Sequence, residues 1–444
     1  MTTASSSTGS TPSSVSIGPL MPPMVGDGRH SVLSHFGTSR CSRFVQVPRA
    51  DGPYGLVRRE AAHMAWIRGA GLTAFGRLPG RDALGWQATA ATLAMADAGT
   101  RPRDVDGLIV GYATTLDHLM PANLLAEYLG ITPAVALGAA VGGATGVAMV
   151  VQAVALVDSG AASTVLVVAG EDRASGQSTQ TSTATLAQVG HRRYEVPIGA
   201  TVPQYYALLA SAYLHEHGLT PGDGLAPLAV AMRAHAARHD GAQFRTPVTA
   251  ADVRASRPVA DPLNLLDCCP VSDGGAAVVV SATAGGGRAV EIVGTGQAHL
   301  HQHISEADMH EFGARVSAGR ALARAGVRIG EVDVFGIYDS FTITLALLLE
   351  ELGLARPGGA GAAASEGRFD LDGPIPVNPH GGLLSYGHCG VGGGMAHLVE
   401  IVTQLRGESG GRQVARARQG LVHADGGVMS AHVTAVLRAA RGAT

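Results

Sequence analysis

The chain runs to 444 residues, of which 46% are hydrophobic and 15% charged, with a formal net charge of −3. That length supports two or three domain-sized cores or one large two-half body, and so few charges require much of it to be buried. A slightly acidic balance excludes nucleic acid as the main partner. The four cysteines, Cys41, Cys268, Cys269 and Cys389, show neither metal-ligand spacing nor a disulfide framework. The expectation is a reducing cytoplasm, with Cys268 and Cys269 as small buried apolar residues.

Residues 1–60 begin rich in Ser, Thr, Pro and Gly and turn basic between Arg40 and Arg59. They read as an extension, disordered at first, with enough aromatics from Phe36 to Val57 to dock on the body or on a partner. The basic region and apolar core of a signal peptide are missing.

Regular alternation starts at Ala65. Ala65–Gly71 predicts a strand, Ala83–Ala98 a helix ended by Gly99, Val105–Gly111 a strand, Asn123–Leu129 a helix ended by Gly130, and Val135–Leu137 a strand. The turn Val141-Gly142-Gly143-Ala144-Thr145-Gly146 then opens an apolar helix to Val157. The apolar run from Ala139 to Val157 is long enough to question, but Gly142, Gly143, Thr145 and Gln152 mark a helix buried in protein rather than a membrane span. Thr164–Gly170 is almost uninterrupted apolar strand, as expected where both sheet faces are covered. Residues from 172 to about 225 break the rhythm with a Ser/Thr/Gln-rich piece and Tyr194, Tyr205, Tyr206 and Tyr213. They read as an inserted loop region shaping a pocket.

A helix at Leu228–Arg238 and a strand at Ala276–Ser281 lead to the linker Gly285-Gly286-Gly287. The scheme then repeats: strand Val290–Val293, helix within Ile304–Ala325, strand Val332–Ile337, helix Leu345–Leu352, a Gly/Ala-rich loop at 356–367, and two closing strands around the turn at Gly426-Gly427. Residues 96–110 echo residues 323–337, a weak internal repeat that implies two similar α/β halves. The boundaries are 61–283 for the first half, carrying the insertion, and 288–444 for the second.

One stretch stands apart. Val377-Asn378-Pro379-His380-Gly381-Gly382-Leu383-Leu384-Ser385-Tyr386-Gly387-His388-Cys389-Gly390 runs into Gly392-Gly393-Gly394 and an apolar helix from Met395 to Leu405. It is a histidine-bearing loop poised at a helix N-terminus, where N–H groups favour an oxyanion or carboxylate.

This stretch resembles the Asn-x-x-Gly-Gly…Gly-His segment of thiolases, closest to the sterol-carrier-protein-type branch. Further resemblance lies in Ser256-Arg257-Pro258-Val259-Ala260-Asp261-Pro262, Asp267-Cys268-Cys269-Pro270-Val271-Ser272-Asp273-Gly274, Tyr338-Asp339-Ser340-Phe341-Thr342 and Gln404-Leu405-Arg406-Gly407, and extends over Trp66 to Leu437. It implies two βαβαβαββ halves in a five-layer αβαβα sandwich, an α/β thiolase fold, and a homodimer acting on an acyl-CoA or acyl-carrier thioester. Coenzyme A would enter as part of the substrate, with no cofactor and no metal.

By the same resemblance His388 holds the thioester oxygen. The nucleophilic cysteine's turn matches Gly143-Ala144-Thr145-Gly146, with glycine in place of sulfur. The proton-transfer cysteine's turn matches His423-Ala424-Asp425-Gly426-Gly427, with histidine in its place. Tyr338 and Asp339 stand at the Asn-Glu or His-Asp position. A tyrosine there polarises a carbonyl, or takes a proton where its pKa is lowered. His423 would move protons near neutrality. Thr145 and Cys389, beside His388, are the remaining candidate nucleophiles. His380, Gly143, Thr145 and Gly427 complete the expected substrate site.

Three readings stay open. The first is an enzyme making or breaking a carbon–carbon bond beside a thioester, by acyl transfer or by the retro-aldol cleavage of lyases that work with a small OB-fold (DUF35-like) subunit. The second is a catalytically silent scaffold of a thiolase-like complex. The third is a simple acyl-CoA-binding protein. The first predicts that Tyr338, His388 and His423 converge on one pocket, lined by Gly143.

Overall fold

The computed structural model describes residues 65–440. The expectations for residues 1–60 lie outside them. The described residues belong to one compact unit.

In the first half β1 (Ala65–Leu72), α1 (Ala83–Ala98), β2 (Gly107–Gly111), α2 (Pro121–Leu129), β3 (Val135–Ala139), α3 (Thr145–Asp158), β4 (Thr164–Asp172) and β5 (Asp273–Ser281) alternate as the hydrophobic pattern requires. Between β4 and β5 lie α4 (Thr179–Ala187), α5 (Val202–His217), α6 (Ala226–Ala236) and a short hairpin of Pro258–Ala260 with Leu263–Asn264. The second half comprises β6 (Val290–Ala298), α7 (Ala314–Ala325), β7 (Val334–Ile337), α8 (Thr342–Glu351), α9 (Val391–Arg406), β8 (Gln419–Gly426) and β9 (Ala431–Ala439). The nine strands run in the order β3-β2-β4-β5-β1-β6-β9-β8-β7. The halves meet where Ala65, Trp66 and Ile67 pair antiparallel with Ile292, Glu291 and Val290.

Helices α1 and α2 cover the outer face of the first half, α7 and α8 that of the second, and α3 and α9 are sandwiched between the two. This is the five-layer αβαβα arrangement. β4 is walled on both sides, with Val165, Leu166, Val167 and Val168 fully buried, each contributing about 1.5–3 kcal/mol.

The internal repeat is physical. Asp106 accepts from the backbone N–H groups of Ser163 and Thr164, and Asp333 does the same for Arg418 and Gln419. Each caps the entry to its half's central parallel strand. A Cβ on Gly69 would overlap the Ala94 carbonyl of α1, and one on Gly294 the Ala321 carbonyl of α7. Both outer helices therefore lie against bare backbone.

Three differences from the sequence reading have physical causes. The region expected as inserted loop holds α5, a 16-residue helix with a Thr201/Gln204 capping box and Pro203 in its first turn. It is stabilised by burying Tyr205, Tyr206, Leu209 and Tyr213, a tertiary effect that local pattern does not carry. Ala360–Ser365, expected within a loop, is one short helix. The third strand of the second half shrinks to a bridge between Phe335 and Val377. Asn378 completes it with its side chain, accepting from Ile337 N–H at 2.7 Å and donating to Ile337 O at 2.8 Å.

No helix among the described residues is long and apolar enough to cross a membrane, and no group of three or more His, Cys, Asp or Glu among them is arranged to hold a metal.

Candidate active site

A cavity of about 600 Å³ opens at the C-terminal ends of β2, β4, β7 and β8, the edge where open α/β sheets place ligands. The N-termini of the two sandwiched helices converge on it. Gly142 and Gly143, just before α3, line it, as does Gly390, the residue capping α9. Their uncapped N–H groups bring two positive dipole ends to one place.

Tyr338 follows β7 directly. Its N–H donates to His423 O at 3.0 Å, and Asn378 clamps the residue before it. The side chain is thereby aimed between the two helix ends. A Cβ on Gly143 would overlap the Tyr338 hydroxyl and come within 2.5 Å of Asp425 O. The tyrosine fills the volume in which the family resemblance puts a cysteine side chain.

His388 Nε2 lies 3.0 Å from the Tyr338 hydroxyl. Its loop is pinned by Ser272, whose hydroxyl accepts from His388 N–H at 2.9 Å and whose N–H donates to His388 O at 3.1 Å. Burial, with the Arg173 charge adding to it, lowers the His388 ring to about 3. The ring is neutral at pH 7. Burial and the Asp425 charge push the Tyr338 phenol well above its ordinary value. Where the sequence reading needed a lowered phenol pKa for proton abstraction, the shift is upward, and Tyr338 is a hydrogen-bond donor.

Gly143, Gly427, Tyr338 and His388 all line the cavity; His423, Thr145, Cys389, His380 and Asp339 do not. The His423 ring sits 2.8 Å from Thr434 Oγ1 and 3.1 Å from His432 Nδ1. Thr434 also meets Ser317 of α7, so this side chain points to the outer layer. Burial lowers its pKa well below 6.5, away from the neutral range expected of it. The Thr145 hydroxyl closes its own turn, accepting from Val141 N–H at 2.7 Å and donating to Gly142 O at 2.6 Å.

Cys389 packs among Phe75, Ala236, Tyr386 and Ala396, and burial raises its thiol well above its ordinary range. The His380 ring lies against His397 and Tyr386, with centroids 4.9 and 5.4 Å away. Asp339 turns from the cavity to accept from Leu383 N–H at 2.7 Å, with His397 at 3.4 Å.

Cavity residues that the sequence reading did not single out are Glu171, Arg173 and Asp425. Asp425 Oδ2 accepts from the Tyr206 hydroxyl at 2.9 Å, while Oδ1 has no partner. Burial raises this carboxyl well above its usual range. Burial also raises Glu171, which accepts from Thr114 N–H at 2.6 Å and from the Thr114 hydroxyl. The available signal was position: Glu171 and Asp172 end the apolar strand β4 and Arg173 follows it, at the edge where sites form. Cys268 and Cys269 also line the cavity. Burial pushes the Cys269 thiol up to about 12 and the Cys268 thiol also upward, so neither is a thiolate at neutral pH.

Residues 296–439 match the family model described as thiolase C-terminal domain-like. The chain is 33% identical over 348 residues to an acetyl-CoA acetyltransferase of Methanothermobacter thermautotrophicus, covering 75% of this chain and 88% of that protein. It is 32% identical over 373 residues to a steroid side-chain-cleaving aldolase of Thermomonospora curvata, covering 78% and 91%. Among solved structures, an Ltp2-ChsH2(DUF35) aldolase superposes with a TM-score of 0.74 at 30% identity, covering 86% of this chain and 99% of that one. The fold, the paired glycine turns at the helix ends and these likenesses agree: the chain belongs to the thiolase superfamily.

Proposed function

We propose that this thiolase-like enzyme breaks, or in reverse makes, a carbon–carbon bond next to an acyl-CoA thioester by retro-aldol chemistry, without an acyl-enzyme. One observation carries the reading: the Tyr338 hydroxyl stands where a side chain on Gly143 would be, 3.0 Å from His388. Covalent acyl transfer needs an activated nucleophile in the cavity. The two thiols that line it are held protonated by burial, and Cys389 and Thr145 do not line it.

What remains serves enolate chemistry. Neutral His388 donates to Tyr338, and Tyr338 donates to the thioester oxygen, a chain in which each bond strengthens the next. The N-termini of α3 and α9 add positive potential where negative charge develops. Asp425 takes the proton of the β-hydroxyl. The electron pair of the breaking bond becomes the thioester enolate, the former carbinol carbon leaves as a ketone or aldehyde, and Asp425 returns its proton to the α-carbon. A buried carboxyl with a raised pKa suits both halves of that cycle.

The names of the aldolase relative and the Ltp2-ChsH2(DUF35) neighbour support cleavage, that of the acetyl-CoA acetyltransferase relative supports acyl transfer, and the lack of an activated nucleophile in the cavity decides for cleavage. The Ltp2-ChsH2(DUF35) name also supports a small DUF35-type partner; the homodimer and the reducing cytoplasm rest on the sequence reading alone. The test is incubation with β-hydroxyacyl-CoA esters, reading the carbonyl product and the intact protein mass together. Cleavage with no mass adduct is expected; an acyl adduct on any residue would overturn the reading.

A further inference from the structure

Arg173 enters the scheme above only through its charge, which helps keep His388 neutral, and its setting is unusual. It lines the cavity while being only 8% exposed. Its one side-chain hydrogen bond runs from Nε to Ser182 Oγ at a long 3.4 Å. Among the described residues no carboxylate pairs with it. Its two acidic neighbours are occupied elsewhere, Glu171 with Thr114 and Asp172 with the Thr115 hydroxyl.

The backbone that carries this cation is held in place. Asp273 Oδ1 accepts from the N–H groups of Ala174 and Ser175 at 2.7 and 2.9 Å, locking the chain beyond it. A guanidinium is always charged and presents donors in a planar fork. Taking it out of water without an ion pair is costly; Glu171 feels its charge but forms no ion pair with it. Arg173 forms no hydrogen bond with Tyr338 or His388, so its fork is free for a second group. Leu186, Val189 and Val202 also line the cavity, as do Thr179 and Ser182.

We propose that Arg173 binds a carboxylate at the far end of the acyl chain, so that the substrates are thioesters of dicarboxylic acids. The proposal rests on the thioester reading above and names the acyl class. The chain packs against Leu186, Val189 and Val202, the carboxylate meets the guanidinium in a bidentate pair, and the Ser182 hydroxyl adds a third donor.

The test is calorimetric titration of the full-length protein with succinyl-, glutaryl- and adipyl-CoA against monocarboxylic acyl-CoA esters of equal length. None carries a β-oxygen, so none can be cleaved, and binding is read without turnover. At least one dicarboxylic ester should bind about tenfold or more tighter than its partner. Arg173→Met should bring the pair to equal affinity while leaving the monocarboxylic ester unchanged, and Arg173→Lys should keep part of the preference. Melting temperatures check that both variants fold. Equal affinities in the wild-type protein overturn the carboxylate site and leave the carbon–carbon bond reading standing. Equal weakening of both esters by Arg173→Met also overturns it, since the side chain would then act only structurally. If no ester binds, the thioester reading fails and this one with it.

Discussion

The Tyr338 hydroxyl occupies the space that any side chain at position 143 would need. The absent cysteine and the present tyrosine are thus one structural event: a thiol could not be restored at Gly143 without moving the phenol.

Gly143→Cys should therefore destabilise the protein by about 1–3 kcal/mol through overpacking, although it recreates the residue that the family resemblance expects. In a Tyr338→Ala background the same substitution should cost less but not nothing, because the Asp425 carbonyl, 2.5 Å from the added Cβ, still resists it; the difference between the two costs is the coupling to the phenol. Urea melts of the two single variants and the double variant check this. Strict additivity would mean that the two positions do not compete for space.

Tyr338→Phe removes one oxygen from the end of the donor chain and leaves the ring packing in place. Turnover of a β-hydroxyacyl thioester should fall about 10²–10⁴-fold, with the melting temperature nearly unchanged. Steady-state kinetics alongside thermal melts decide it. Activity within a few-fold of wild type would remove the phenol from the chemistry.

Asn378 was visible only as part of a loop motif, yet it does the work of a missing strand. Its amide pairs with both backbone groups of Ile337 at a left-handed φ of 49°. Asn378→Ala should lose about 2–3 kcal/mol, from two buried backbone groups left unpaired and a conformation that alanine resists. Chemical denaturation measures the loss. A smaller loss in Asn378→Gly than in Asn378→Ala would separate the strain from the hydrogen bonds.

Most of the fold was legible because its signals are local. Capping glycines and apolar runs predict α1 from Ala83 to Ala98 as it stands in the structure, and the echo between residues 96–110 and 323–337 falls on equivalent helix–strand corners of the two halves. What escaped depends on distant contacts. α5 is a helix because its tyrosines are buried, and the third strand of the second half vanished into an asparagine side chain. In the site, Tyr338 and His388 were singled out through the family resemblance, and the structure brings both to the cavity because one directly follows β7 and the other lies in the turn before α9. His423 lies inside β8, and no neighbour in sequence reveals the direction of its side chain. Arg173 and Asp425 escaped because a charge at a strand end ordinarily reads as solvated.

pH dependence separates the candidate bases. Burial takes His388 down to about 3, so this ring stays neutral from pH 5 to 8 and gives kcat/KM no inflection there. Asp425 must be ionised to accept a proton, and its pKa is raised. As pH falls the base is therefore protonated early, and activity is lost at a higher pH than an ordinary carboxylate, near 3.9, would allow. His388→Gln and Glu171→Gln should keep this acid limb at reduced rate, whereas Asp425→Asn should abolish turnover. A limb that disappears in Glu171→Gln alone would transfer the base to Glu171.

His423→Ala tests the opposite expectation. A proton-transfer residue in the second glycine turn would make this substitution abolish turnover. The ring instead lies among Thr434, His432 and the α7 side of the sheet, and only its backbone carbonyl serves the site, by accepting from Tyr338 N–H. That carbonyl survives the substitution. The loss of two buried hydrogen bonds and of ring packing should cost about 2–4 kcal/mol, while kcat per folded molecule stays within about threefold, far from the 10²-fold or greater loss of a general acid–base. Kinetics normalised to the folded fraction, measured well below the melting transition, distinguish the two. A hundredfold fall in kcat with an unchanged melting temperature would put His423 back in the chemistry and would require the outer layer to open during turnover.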